Sequence, residues 1–491
     1  MQHPSLTLNM IQLDLASPEP MQFQLYRAMR EAIVTKQLAA GGRLPSTREL
    51  AQRWKVSRNT VMGAFDQLTA EGYLKGKQGA GTFVTFSVPD FYSRVTPAGR
   101  AACADVVARR EAALRQRRMK YQGCTHEPSP LAPLRPTVPS LENFPFALWE
   151  QCRKAVLRQG ERSLLTYGDT LGYWPLRRAV ATYLRDTRGV RCEPAQVVIC
   201  CGSQQGIYLT ASTLLEHGET VWMEDPGYQG ARIVYEGFGA KVKPVPVDRE
   251  GMDIQRAPVA EGVARLIHVS PSHQFPLGHT MSLERRLRLL DYAAASGAYI
   301  VEDDYDSEFR YEGRPLSSLQ GLDQSGSVVY VGTFSKILFP SLRLGYLVVP
   351  PGLVDLFEQS RSRIDGNPTL IDPATIALFM EEGHFARHIR KMRSLYQERL
   401  ELLHDAVARY LRGGLELEKQ QCGMHTVGWL KGSTPDQEVT ARAQKNGVVA
   451  PPLSQYTRRF TLPPGLVLGF AGFRADEIDN AVKRLADSIP L

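Results

Sequence analysis

The 491-residue sequence predicts an α/β protein with a small helical head, and three observations support this. From Phe146 onward, short apolar runs alternate with stretches of helical spacing, the pattern of a mostly parallel sheet with ligands at the carboxyl ends of its strands. The first 88 residues read instead as three short helices and a glycine-rich hairpin. Charge divides the chain in the same place. Residues 1–88 carry 10 Lys+Arg against 6 Asp+Glu, residues 89–130 carry 8 against 4, and the remainder carries 41 against 41. The whole net charge of +8 therefore lies in the first 130 residues. A basic head on a neutral body points to a polyanionic partner for the head.

At this length the chain should hold two or more domains with substantial cores. No apolar run reaches transmembrane length, and the N-terminus lacks the charged start and apolar core of a signal peptide. A cytoplasmic protein with no membrane partner is expected. Seven cysteines, at 103, 124, 152, 192, 200, 201 and 422, are scattered without CxxC or Cys/His spacing. That argues for a reducing compartment and no metal site.

In the head, Gln22 to Leu38 places Leu25, Met29, Ala32 and Ile33 at helical spacing, and Gly41-Gly42 ends the helix. Leu44-Pro-Ser-Thr-Arg-Glu-Leu-Ala51 opens a second helix, with Ser46 as N-cap and Glu49 completing a capping box. Its apolar face is Leu50, Ala51 and Trp54. A tight connection at Lys55-Val56 leads to a third helix beginning Ser57-Arg-Asn-Thr-Val61, with Val61, Ala64, Phe65 and Leu68 on one face and Gly72 closing it. Tyr73 to Val84 reads as a β-hairpin with a basic, glycine-rich tip. Three helices, the last two tightly joined, then a hairpin describe a winged helix-turn-helix over residues 1–88. Ser57, Arg58, Asn59 and Thr60 then stand where a recognition helix meets the major groove. Arg43 and Arg48, with Ser46 and Thr47, face phosphates or base edges, and Lys75, Lys77 and the Gly79–Gly81 tip face the neighbouring groove. The alternative is a solvated basic face on a small helical domain, and the ordered motif tells against it.

Residues 89–137 change character. Ala101 to Lys120 is rich in alanine and arginine, and prolines at 128, 130, 133, 136 and 139 forbid regular structure after it. A linker is expected here, followed by a body over 138–491. In the body, Leu148 to Gln159 is helical and Pro175 begins a helix at its first position. Val197 to Cys201 is a buried strand, and Gly202-Ser-Gln-Gln-Gly206 turns into a helix whose N–H groups and dipole suit a phosphate. Strands follow at 219–223, 241–247 and 264–269, with Tyr228 after the first of these, where a flat ligand would stack on it. Residues 372–491 read as a smaller α+β subdomain with a long basic helix, about Glu381 to Leu411.

Two further strand ends carry the chemistry. Val328 to Val331 runs into Gly332-Thr-Phe-Ser335, Lys336 follows, and Arg343 precedes another apolar run, Leu344 to Val349. Burial lets a lysine deprotonate and form an imine with an aldehyde cofactor. Arginine stays charged and suits a phosphate clamp with Thr333 and Ser335. Alone, this stretch is equally a surface lysine beside a capping serine. Its partner is upstream, in Ala298-Tyr-Ile-Val-Glu-Asp-Asp-Tyr-Asp306. Three consecutive acids at a strand end need a cation facing them, and here a carboxylate and a phenol would meet a pyridine nitrogen and a ring 3-oxygen.

Together the two stretches resemble the pyridoxal 5'-phosphate (PLP) site of fold-type I aminotransferases, a PLP-dependent transferase fold. The head closely resembles the GntR-type DNA-binding domain, whose Leu-Pro-Ser-Thr-Arg-Glu-Leu-Ala, Val-Ser-Arg-Asn-Thr-Val and Glu-Gly-Tyr-Leu stand here almost unchanged. Head and body together resemble the MocR/GabR-type regulators over nearly the whole chain, including Pro271 to Gly278, Met281 to Arg286 and Glu302 to Arg310. The resemblance implies that Lys336 forms the imine, that Asp303 pairs with the pyridine nitrogen and Tyr305 with the ring hydroxyl. It implies that Ser203, Gln204, Ser335 and Arg343 hold the phosphate and that Tyr228 stacks on the ring, with Asp304 a rival for the pyridine contact. It further implies double-stranded operator DNA as partner, a small-molecule effector, and a homodimer joined through the aminotransferase-like domains with the heads exchanged.

Two departures stand out. Phe275 replaces the asparagine that aminotransferases usually place before Pro-Thr-Gly. Gly465-Leu-Val-Leu-Gly-Phe470 has no arginine for a substrate α-carboxylate, with Val467 about where one is expected and Arg458 or Arg459 as candidate substitutes. A guanidinium–carboxylate contact is strong and directional, so its loss weakens transamination. The expected function is therefore a PLP-dependent transcriptional regulator that senses PLP itself or an amino compound, such as a γ-amino acid or taurine. One alternative is an active aminotransferase carrying a DNA-binding module, against which the lost clamp counts. The other is a regulator whose PLP site has decayed, against which the intact lysine, aspartate, tyrosine and arginine count.

Overall fold

The computed structural model describes residues 19–77, 81–85, 131–160, 162–311 and 317–489, with Ile11, Leu13, Asp14 and Ser17 before them. They fall into two units, one within Met1–Met119 and one within Lys120–Leu491.

The first unit holds helices α1 Met21–Val34, α2 Thr47–Trp54 and α3 Arg58–Ala70, then an antiparallel pair, β1 Leu74–Lys77 and β2 Gly81–Val84. Leu25, Met29 and Ile33 of α1 meet Leu50 of α2 and Val61, Phe65 and Leu68 of α3 in one core, completed by Leu74 and Val84. The turn between α2 and α3 has Lys55 in the left-handed conformation, φ 54°. Serines start both helices: Ser46 Oγ accepts from Glu49 N at 3.2 Å, and Ser57 Oγ accepts from Thr60 N at 3.1 Å. Each bond satisfies a donor that the helix leaves open. Glu49 returns no bond to the Ser46 backbone, so the expected capping box is only half formed.

The second unit is built on an eight-stranded sheet. Its strands are β3 Val197–Cys200, β4 Thr220–Asp225, β5 Lys241–Asp248, β6 Gly251–Met252, β7 Ala264–Val269, β8 Tyr299–Asp304, β9 Val328–Thr333 and β10 Gly345–Val348. The spatial order is β3-β10-β9-β8-β7-β4-β5-β6. β9, β8, β7, β4 and β5 run parallel, whereas β10 lies antiparallel between β9 and β3, and β6 pairs antiparallel with β5. Every residue of β3, β4, β9 and β10 is buried, which explains the apolar runs at residues 197–199, 221–223, 328–331 and 346–348 within them.

Helices cover both faces: α4 Phe146–Gln159, α5 Trp174–Arg188, α6 Ser203–Leu214, α7 Gln229–Gly237, α8 Leu283–Ser296, α9 Val354–Ile364 and α10 Ile371–Glu381. α5 starts at Trp174, which puts Pro175 one position later than its spacing predicts. On one face Leu176 and Val180 pack against Ile199, Tyr330 and Tyr346, and on the other Ile207 and Phe357 pack against Val198, Val329 and Leu347. The C-terminal part adds the long α11 His384–Tyr410, an antiparallel sheet of β11 Leu415–Leu417, β12 His425–Leu430 and β13 Gly465–Gly469, and helices α12 Asp436–Lys445 and α13 Ala475–Ala486.

Residues 131–137, read above as the end of a linker, are built into this body. Leu134 is fully buried, its carbonyl accepts from Gly469 N at 2.7 Å, and the Pro133 carbonyl accepts from Val449 N at 3.1 Å. Proline lacks an N–H but keeps its acceptor, so a proline-rich strap can still be pinned. Residues 89–130 lie outside the described residues. Among the described residues, no helix is long and apolar enough to cross a membrane.

Candidate functional site

The carboxyl ends of β8 and β9 stand side by side, with Asp303 opposite Val331 and Asp304 opposite Gly332. Strand alternation sends the consecutive acids of β8 to different partners. Glu302 accepts from the N–H groups of Leu319 and Gln320, both at 2.9 Å, and burial raises its carboxyl to about 6. Asp304 forms a buried pair with Arg188 of α5 at 2.9 Å and accepts from the Tyr330 hydroxyl at 2.5 Å. Asp303 takes the opposite face, where His268 Nε2 of β7 stands 3.5 Å from its Oδ2. His268 Nδ1 lies 2.9 Å from the Tyr235 hydroxyl. The cation that the acid run demands is thus Arg188. Asp304, the rival for a pyridine contact, is already committed to it.

Lys336 follows β9 through a turn in which Ser335 N donates to Thr333 Oγ1 at 3.1 Å. Its Nζ lies 3.1 Å from Thr137 Oγ1 of the strap. Burial lowers this amine to about 8, Arg343 and Arg135 push the same way, and Asp306 and Asp303 oppose them.

Beside the lysine is an open anion cradle. Gly202, φ 79°, starts α6 with no side-chain cap, so the first-turn N–H groups face outward. Arg343 Nη2 donates to Cys201 O at 3.2 Å, and a Cβ at Gly202 would stand 3.4 Å from that nitrogen. Gly345 of β10 lets the turns after β3 and β9 meet, since a Cβ there would come within 2.8 Å of both Gly202 and Gly332. Ser335 Oγ is buried there without a hydrogen-bond partner. A cation, an open helix end and an orphaned hydroxyl fit a bound phosphate. Gln204 contributes differently from expectation. Its amide is spent on Tyr228, whose hydroxyl donates to Oε1 at 2.9 Å, and on Gly230 O at 2.9 Å. Only its backbone N–H is left for an anion, while its side chain fixes the Tyr228 ring.

The Tyr305 hydroxyl lies 3.1 Å from His273 Nδ1, which both Asp306 oxygens also face at 3.0 Å. Burial raises the phenol well above its ordinary range, so it stays protonated. Phe275 packs edge-on against Tyr305 and Tyr228, at 6.0 and 6.1 Å, putting an apolar ring where an asparagine amide was the usual expectation. Val467 is fully buried in an apolar cluster with Val247, Leu277, Val427 and Leu453. Of the two substitutes, Arg459 pairs with Glu261 at 3.1 Å on the surface. Arg458 lines a cavity of about 310 Å³ with Tyr228, Arg232 and Tyr456.

Sequence reasoning missed Arg188, His268, His273, Asp306, His425 and Thr137. His273 and Asp306 lie inside motifs already singled out, and a titratable residue next to a strand end was their signal. The others come from distant segments with no local mark.

In the first unit, Arg58 Nε donates to Thr47 Oγ1 at 3.4 Å, tying the starts of α2 and α3 together. Arg43 bridges to Phe83 of β2, with its guanidinium beside Gly81. Arg43, Ser46, Arg48, Ser57, Arg58, Asn59 and Lys75 are exposed, and Thr47 and Thr60 are half-buried. Among the described residues no carboxylate pairs with Arg43, Arg48, Arg58 or Lys75. Lys77 ends the backbone of β1, and Gly79 lies outside the described residues.

Fold and site together define an aminotransferase-like α/β body carrying a DNA-binding head. Residues 141–485 match the family model for aminotransferase class I and II, and residues 22–84 match that for bacterial regulatory proteins of the gntR family. The probable rhizopine catabolism regulatory protein MocR of Rhizobium meliloti is 40% identical over 478 residues, covering 97% of this chain and 95% of the relative. The pyridoxine biosynthesis transcriptional regulator PdxR of Corynebacterium glutamicum is 28% identical, with 98% of each chain covered. Among solved structures, the α-aminoadipate aminotransferase LysN of Thermus thermophilus, complexed with N-(5'-phosphopyridoxyl)-L-leucine, matches with a TM-score of 0.67 at 26% identity, covering 73% of this chain and 91% of that one. The chain belongs to the MocR type of the GntR-family transcriptional regulators.

Proposed function

We propose that the body of this regulator is its sensor: PLP at Lys336, alone or joined by an amino compound, sets the state in which the head binds double-stranded operator DNA. The observation that carries the reading is a lysine lowered to about 8 beside a buried carboxylate, Asp303, and an open helix end next to Arg343. These residues fit PLP, which is the cofactor. Lys336 would hold its aldehyde carbon, Asp303 the pyridine nitrogen, Tyr305 the ring hydroxyl and Tyr228 the ring face. Ser335 Oγ, the N–H groups of Ser203 and Gln204, and Arg343 would hold the phosphate. When bound, PLP supplies an electrophilic carbon and an electron sink. The chain's own residues do the rest: burial keeps a neutral fraction of Lys336, Asp303 holds a proton on the ring nitrogen, and Tyr305 stays a donor.

The apolar packing of Val467 leaves no α-carboxylate clamp there, which favours sensing over turnover. In the head, Ser57 to Thr60 would enter a major groove, with Arg43, Arg48 and Lys75 on the backbone. The body is proposed to pair with a second copy, since Phe146, Leu165 and Tyr167 leave 67%, 78% and 92% of their surface open. The heads would be exchanged across that pair.

The test has two parts. Purified protein should absorb as lysine-bound PLP, and borohydride should leave a pyridoxyl group on Lys336. Operator affinity should then differ between cofactor-free and cofactor-loaded protein. An unmodified Lys336 ends the cofactor assignment, and equal affinities end the sensing role. The complete lysine, aspartate, tyrosine and arginine set also favours a second reading, an active aminotransferase, which brisk amino transfer to a keto acid across a panel of donors would establish.

A further inference from the structure

The buried Val467 leaves open which cation meets an effector's acid group, and the strap at 133–137 supplies one. Leu134 and Thr137 hold left-handed backbone, φ 66° and 61°, without being glycine. That conformation is unfavourable for a β-branched residue and persists only where the surroundings impose it. Here they do. Leu134 is fully buried, its carbonyl takes Gly469 N at 2.7 Å, and Gly469 carries no side chain because a Cβ would collide with the Arg135 carbonyl. What the strain holds in place is the Thr137 hydroxyl, 3.1 Å from Lys336 Nζ.

Arg135 stands two residues back. Its charge reaches the Lys336 amine, it is half-buried, and it pairs with no carboxylate among the described residues. A second open group shares this corner. His425 of β12 is the cross-strand neighbour of Gly469. Its Nε2 donates to Pro276 O at 3.2 Å, which leaves the lone pair on Nδ1, and that nitrogen is buried without a partner. Burial, helped by His273 and Lys336, lowers this imidazole well below its ordinary range and keeps it neutral. A cation without a carboxylate partner and an acceptor without a donor thus sit on neighbouring segments, the Arg135 backbone and His425 both flanking Gly469, and each acts on the lysine. The cavity lined by Arg458 reaches Tyr228 but is lined by none of Lys336, Asp303 and Tyr305.

We propose that Arg135, with Thr137 beside it, binds the oxyanion of a small amino-compound effector, a carboxylate or sulfonate, and so replaces the clamp missing at Val467. His425 Nδ1 accepts from an N–H or O–H of the same ligand. The inference deepens the sensing role proposed above and rests on it. A planar fork of donors suits either oxyanion, and neither an arginine at 467 nor a polar residue at 275 is then needed.

Cofactor-loaded protein is titrated with L-alanine, β-alanine, 4-aminobutanoate and 2-aminoethanesulfonate, with n-propylamine as the control that lacks an anion. The readouts are the absorption of lysine-bound cofactor and, in parallel, the shift in Tm. At least one anionic amine should half-saturate at about tenfold lower concentration than n-propylamine, and the favoured member tells carboxylate from sulfonate. Arg135→Gln should bring that preference to within about twofold while the n-propylamine response and the cofactor absorption persist. Arg458→Gln should keep the preference. The inference is overturned if wild-type protein shows no preference, if Arg135→Gln retains it, or if Arg458→Gln alone removes it. Wild-type protein without cofactor absorption would instead bring down the sensing role and this inference together.

Discussion

Head and body carry their charge in opposite ways. In the head, Arg43, Arg48, Arg58 and Lys75 are exposed and have no carboxylate partner among the described residues. In the body the decisive charges are withdrawn from solvent, Asp304 buried and Lys336 half-buried, and answered from far along the chain: Asp304 by Arg188, 116 residues away, and Lys336 by Thr137, 199 residues away. A polyanion brings its own counter-charge, so a surface that binds one needs only cations on a rigid frame. Covalent cofactor chemistry needs groups whose protonation the interior sets, and the interior must supply every partner.

The largest test of this contrast is Lys336→Ala. It should abolish covalent cofactor attachment, seen as loss of the pyridoxyl peptide after borohydride, while the operator affinity of cofactor-free protein changes by less than about twofold. A collapse of DNA binding in that cofactor-free comparison would show that the two regions are not separable. Next come the neighbouring acids. Asp304→Ala strands a buried Arg188 and should cost about 3–5 kcal/mol in denaturant unfolding. Asp303→Ala strands no guanidinium, so it should cost clearly less stability yet weaken cofactor retention.

The pH dependence sharpens the comparison further. With Lys336 at about 8, attachment of PLP to cofactor-free protein should quicken roughly tenfold per unit at low pH and level off above about 8. Only the neutral amine attacks, and its fraction saturates once pH passes the lowered value. An exposed lysine would keep gaining toward 10.5, so a rate still climbing at pH 9.5 would mean the amine is not buried. The smallest effect is in the head. Arg58→Ala should cost about 1–3 kcal/mol of operator binding by gel shift and leave the cofactor absorption unchanged.

The same contrast governs what could be read in advance. The head was legible because its structure is local: the caps at Ser46 and Ser57 act within three residues, and the apolar spacing of α1 and α3 is their core face. The body was legible at its strand ends, where Asp303 and Lys336 come after apolar runs and Arg343 stands just before one. The direction of β10 was not, since an apolar run from Leu344 to Val349 reads the same whether it pairs parallel or antiparallel. Partners such as Arg188, Thr137 and His425 were invisible because long-range pairing leaves no mark in nearby residues. The prolines before Thr137 suggested a linker because they forbid helix and strand, but they do not forbid the carbonyl-side bonds to Val449 and Gly469 that pin the strap.

Asp225, at the tip of β4, accepts from three successive N–H groups, those of Arg458 and Arg459 at 2.7 Å and Phe460 at 3.0 Å. This carboxylate is a rivet between the central sheet and the C-terminal lobe, and Tyr228 lies just three positions along from it. A shift of the lobe therefore pulls on the same short segment that carries the aromatic ring, so motion and ligand contact share a single mechanical link.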